Sequence, residues 1–173
     1  MRLGVNEVGV TELMGVTEHT RALATTAAAL LLEELDSERA LVAPVDPETA
    51  DGTVRPLLLE IARWSQAAMG RDGAPVLWRI LAQNPHHLES TWRKEMVVMA
   101  DGVLSARDKR RTALGVAMAV RARYLVEYNA SVLRHAGDTD RDILEVLGVV
   151  DHYTTLNTVS EGMQIESDIR PPA

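Results

Sequence analysis

The sequence predicts an all-α fold, a bundle of about six or seven helices, on three observations. Apolar residues recur at three- and four-residue spacing, as in Leu57, Leu58, Ile61, Trp64 and Ala68, and no stretch alternates as a half-buried strand would. Hydrophobic residues make up 46% of the chain but aromatics only 3%, with no Phe, so Leu, Val, Ala and Met must fill the core, which suits helices packed on helices. Capping signals also divide the chain at regular intervals.

Thr11 reads as the N-cap of a first helix running to about Leu35, apolar on more than one face through Ala22–Leu32. LVAPVDPETADGTV follows as a loop and suggests a division between an N-terminal helical arm, 1–43, and a main helical domain, 44–173. A second helix spans Val54–Met69 and stops at Gly70. Pro75 opens a short helix, and Asn84-Pro85 caps a fourth that ends at Gly102. Ser105, with Asp108 three residues on, caps a long central helix expected to run unbroken to about His135 before Gly137. Thr139 caps the last helix, with acids in its first turn, and Ser167–Ala173 reads as a frayed tail.

The 173 residues suit one core. A net charge of -7 leaves no basic stripe for phosphates and argues against nucleic acid. The absence of cysteine removes disulfides, thiolate nucleophiles and Cys-based metal sites together. The N-terminus lacks the plan of a signal peptide, and Ala22–Leu32 is too short to span a bilayer, so a cytoplasmic location without membrane contact is expected.

The order of these segments from about Val45 to Ile165, and above all RARYLVEYNASVLRHAG followed by HYTTLNTVSEGMQI, resembles the alkylhydroperoxidase D-like and carboxymuconolactone decarboxylase-like superfamily. In its peroxidase branch the resemblance implies a CxxC with a His four residues later and an upstream Glu. Aligned on Gly137, the cysteines fall at Ala122 and Leu125, the His at Asn129, the Glu near Arg110, and the residue between the cysteines at Tyr124. No redox residue is retained, so CxxC peroxidase activity is excluded, and the decarboxylase branch's His is missing as well. The resemblance further implies a homo-oligomer (dimer, trimer or hexamer), with the apolar first helix expected at the interface.

What the resemblance leaves is a pocket between the central helix, the helix after Asn84 and the last helix. Tyr124, Asn129 and His152 are the candidate catalytic trio: His152 as general acid or base, Tyr124 or Asn129 to hydrogen-bond an enolate or carboxylate. Trp92, Met96, Leu125, Glu127, Tyr128, Tyr153 and Asn157 are candidate substrate contacts, Glu127 also pairing with Arg123 four residues earlier. Adjacent His86 and His87 point about 100° apart on a helix and lack the zinc-binding spacing, so no metal and no cofactor are expected. The Arg107, Lys109, Arg110, Arg111 cluster reads as a solvated face or subunit contact. The expected function is a non-redox enzyme acting by proton transfer (isomerisation, cyclisation, decarboxylation or elimination) on a small apolar acid or ketone. A non-catalytic small-molecule-binding or scaffold homologue is the alternative; a haem or metal peroxidase has no specifying residues.

Overall fold

A computed structural model describes residues 6–30 and 40–166, and in these it contains seven helices and no strand. α1 is Glu7–Ala29, α2 Val54–Met69, α3 Val76–Leu81, α4 Pro85–Val98, α5 Ala106–Ala119, α6 Arg123–His135 and α7 Asp140–Gly162. The all-α expectation holds. The expected end of the first helix near Leu35 and the tail from Ser167 lie outside the described residues.

Helix starts follow local side-chain chemistry. Asn6, not Thr11, caps α1 by accepting from the Gly9 amide at 3.0 Å; Thr11 is already helical and donates its hydroxyl to the Glu7 carbonyl at 2.7 Å. The Asp51 carboxylate accepts from the Thr53 and Val54 amides, both at 3.0 Å, and starts α2. Asn84 accepts from His87 N at 3.1 Å ahead of α4, which stops at Met99, short of the expected Gly102. Thr139 and Asp142 form a reciprocal capping box on α7.

The long central helix is two helices. After Ala119 the chain closes a Schellman motif: Arg121 N donates to Met118 O at 3.0 Å and Ala122 N to Ala117 O at 2.9 Å. This requires a left-handed residue, and Arg121 takes it with φ 58°. Gly137 fills the same slot after α6 (φ 93°) and signals it in the sequence; Arg121 gives no such signal. Ala122 then starts α6, its carbonyl accepting from Val126 N at 2.9 Å.

α5 is the axis of the molecule, with α1, α6 and α7 packed along it and α2, α3 and α4 closing the other side of α6 and α1. The main core is fully buried at Leu58, Ile61, Trp78, Leu88, Trp92 and Ala117. α1 belongs to this packing: Val16, Leu23, Ala24 and Ala27 are buried, so the described helix of segment 1–43 is built into the core of 44–173. α7 differs from the rest, for none of its residues is buried.

A left-handed conformation costs an L-residue about 1–2 kcal/mol, and glycine returns part of that as unfolded-state entropy. Arg121→Gly should therefore stabilise the fold by about 0.5–1 kcal/mol, read as a higher urea midpoint at unchanged slope.

Candidate functional site

Three helices each place one member of a charged network on a mostly apolar buried stripe, α1 also burying Thr20 and α5 Lys109. On α4 the inward stripe is Leu88, Trp92, Glu95 and Met99; on α1, Val16, His19, Leu23 and Ala27; on α5, Arg110, Ala113, Leu114 and Ala117. Helical spacing drives each polar residue inward with its neighbours, and the three meet. The Glu95 carboxylate is 1% exposed, with His19 Nε2 donating to Oε2 at 2.8 Å and Arg110 Nη2 to Oε1 at 2.9 Å. Arg110 Nη1 donates to Asn129 Oδ1 at 3.1 Å, and the Asn129 amide donates to Leu125 O at 2.8 Å. Burial acts most strongly on Glu95 and would raise its pKa. The Arg110 charge and the His19 and Arg110 hydrogen bonds outweigh it and hold the carboxyl below its ordinary value, hence ionised.

The Arg110 guanidinium also lies 5.8 Å from the ring centres of both Trp64 and Tyr128, which stack on each other at 5.9 Å. Burial pushes the Tyr128 phenol well up, and neither its hydroxyl nor Trp78 Nε1 has a hydrogen bond of good geometry. Tyr124, stacked on Tyr128 at 6.4 Å, accepts from the Leu77 amide at 3.3 Å; burial raises its pKa to about 12.

Beside this network, between α2, α4, α5 and α6, lies a cavity of about 610 Å³. Trp64, Met96, Met99, Val132 and Leu133 with several alanines form its apolar wall, and Arg107, Arg110 and His135 are its basic side chains. No carboxylate lines it among the described residues. His135 sits against the left-handed Gly70: a β-carbon built on Gly70 would lie 3.1 Å from His135 Nδ1, so glycine lets the two helix ends close.

Of the residues named from sequence, Met96 lines the cavity and Asn129 bonds the arginine that does. Leu125 and Tyr128 are core, and Trp92 is buried with its indole donating to Glu60 at 2.8 Å. Glu127 is exposed and pairs with Arg123 at 3.3 Å. His152, Tyr153 and Asn157 are all exposed on α7, and none of them lines the cavity beside Asn129's partner Arg110. The basic cluster is not a simple solvated face: Lys109 and Arg110 are buried, while Arg107 is exposed and Arg111 half-buried. Arg107 and Arg111 both bind Asp138, Lys109 donates to Ala100 O at 2.7 Å, and Arg110 holds Glu95. His19, Glu95, Trp64 and His135 were not singled out, although a charged residue on an apolar stripe is itself a signal that a buried partner exists.

No family model matches the chain, and no curated protein matches it. Among solved structures, it is similar to the crystal structure of the alkylhydroperoxidase AhpD core from Rhodospirillum rubrum. That match has a TM-score of 0.63 and 27% identity, and covers 75% of this chain and 94% of that one. The fold is alkylhydroperoxidase D-like. On it, the two positions where the resemblance puts cysteines fall at the first turn of α6, where a helix N-terminus favours a thiolate. Here they are Ala122 and Leu125, 5% and 1% exposed and packed into the main core. With no cysteine in the chain, this alkylhydroperoxidase-like scaffold has no sulfur for thiol peroxidase chemistry. Arg110, near the position to which the resemblance assigns a Glu, donates to Asn129, at the position to which it assigns a His, so neither carries a proton-transfer side chain here.

Glu95→Gln leaves the buried Arg110 uncompensated and should cost about 3–5 kcal/mol at pH 7. The pKa of Glu95 is lowered in the fold, so the unfolded chain binds the extra proton as the pH falls. The ionised carboxylate's contribution is therefore whole above the ordinary value of 4.5 and lost below it, through the lower folded value. Urea unfolding of both proteins from pH 7 to pH 3 should show the deficit of the variant shrinking as acid is added.

Proposed function

We propose that this protein binds a small, largely apolar organic acid in the cavity between α2, α4, α5 and α6 and transforms it by proton transfer, without redox chemistry. One observation carries the reading: an apolar cavity of about 610 Å³ whose charged and titratable lining is Arg107, Arg110 and His135, with no acid among the lining residues. That volume is in the range of small-molecule sites. Arg107 pairs with Asp138 and Arg110 with Glu95; Arg110 is taken as the anchor because its guanidinium is the buried one. Two of its N–H groups hold Glu95 and Asn129, which fix the guanidinium plane, and the others have no partner among the described residues.

His135 supports the proton-transfer part of the proposal. It is the lining side chain able both to give and to take a proton, and its seat against Gly70 limits its motion. The ligand's apolar part would lie along Trp64, Met96, Met99 and Val132. The sequence-based trio of Tyr124, Asn129 and His152 is thereby replaced, with Asn129 kept as the residue that positions Arg110.

Thermal-shift titration with apolar carboxylic acids and their uncharged amides tests the binding step. Glu95→Gln/Arg110→Gln removes both charges together and spares the fold an orphaned ion. The native protein should prefer acid over amide, and the double variant should lose roughly ten- to a hundredfold of that preference, as expected for a charge-assisted hydrogen bond of about 1.5–3 kcal/mol. Equal acid binding by both proteins overturns the site. With a turned-over acid in hand, His135→Ala should abolish turnover while binding persists; retained turnover removes the role of His135.

A further inference from the structure

We propose that Arg107 is a movable second cation of the cavity, which exchanges Asp138 for the carboxylate of a bound acid and so sets the preference of the site for acids. The inference rests on the cavity being the acid site proposed above.

Asp138 is held without Arg107. Its carboxylate lies in the α6–α7 turn, with the side chain 1% exposed, and is not part of the cavity lining. Arg111 spans it alone: Nε donates to Oδ2 at 2.8 Å and Nη2 to Oδ1 at 3.2 Å. This two-pronged geometry meets both oxygens and the charge. Arg107 adds a second guanidinium to Oδ1, through Nε at 2.6 Å and through Nη2. One buried carboxylate therefore carries two arginines. Asp108 lies 3.7 Å from Arg111 but is more than half exposed, so water screens most of its pull. Of the two arginines on Asp138, the one that Asp138 can spare is also the one that lines the cavity; Arg111 does not line it.

A bound acid needs such a cation. Arg110 can offer it hydrogen bonds, but the charge of Arg110 is already matched by Glu95 at 2.9 Å. A carboxylate set against that pair alone would place one arginine between two acids, and a buried charge without its own compensation is strongly unfavourable. Arg107 stands three residues before Arg110 on α5, so the two side chains leave the same face of the helix. Arg110 meets the carboxylate from inside, and Arg107, 45% exposed, meets it from the solvent side. The exchange also discriminates. A ligand carboxylate replaces Asp138 in kind, whereas the carbonyl of an uncharged amide offers Arg107 a weaker partner than the one it leaves.

Urea unfolding without ligand compares the two arginines first. Arg111→Gln should lower the midpoint clearly and Arg107→Gln much less; equal losses overturn the claim that Arg107 is spare, whatever the cavity binds. Calorimetric titration with hexanoate and hexanamide then reads the exchange. Arg107→Gln should weaken hexanoate about tenfold and leave hexanamide unchanged. Asp138→Asn removes the competitor for Arg107 and should tighten hexanoate roughly threefold, a gain that disappears in Asp138→Asn/Arg107→Gln. A purely structural role would shift both ligands alike. Hexanoate affinity unchanged by Arg107→Gln, or not raised by Asp138→Asn, overturns the proposal. A native preference for hexanoate that survives Arg107→Gln but falls in Glu95→Gln/Arg110→Gln removes the role of Arg107 and leaves the cavity; no preference in the native protein removes both.

Discussion

The buried Glu95 carboxylate is the constraint around which the rest is arranged. An ionised group at 1% exposure is tolerated only if its charge and lone pairs are met, and two elements far apart in sequence meet them, with a third bracing one of the two. His19 comes from α1, Arg110 from α5, and Asn129 from α6 holds the far side of Arg110. The registers of α1, α4, α5 and α6 are thereby tied to one another, since a slip along any of these axes would strand a charge. Apolar packing alone would tolerate more variation in side-chain fit.

A second ionic node does similar work at the edge. Asp138, 5% exposed, follows Gly137 in the α6–α7 turn and receives both Arg107 and Arg111 of α5. Burial would raise its pKa; the two arginines reverse that and keep it below the ordinary value. The two lining arginines, Arg107 and Arg110, are thus each paired with a buried carboxylate, and α6 adds Val132 and His135 to the same cavity wall. Side chains that hold the helices together thus also line the cavity.

Much of the fold was legible before the structure. Asp51, Gly70, Asn84-Pro85, Ser105, Gly137 and Thr139 mark boundaries through side chains that cap or bend the backbone locally, and the bounds of α2 match the sequence reading throughout. The break between α5 and α6 was hidden because Arg121 occupies a position that glycine usually announces. The site was less legible. Glu95, Arg110 and His19 form a set only through tertiary contact, and four basic residues within five positions on α5 resemble a wet surface until Asp138, Glu95 and the Ala100 carbonyl are found facing them. His152 reads as a candidate because an imidazole can give or take a proton, but residue type does not say which side of α7 is packed.

The three tryptophans form one contact chain: Trp64 meets Trp92 edge-on at 5.5 Å and Trp92 meets Trp78 at 5.1 Å. They come from α2, α4 and α3, and the chain has no others. The ultraviolet emission of the molecule therefore originates in a single corner, next to Arg110 and the cavity wall. Its tryptophan signal is local: sensitive to what enters beside Trp64, and blind to changes confined to α7, which carries Tyr153 but no tryptophan.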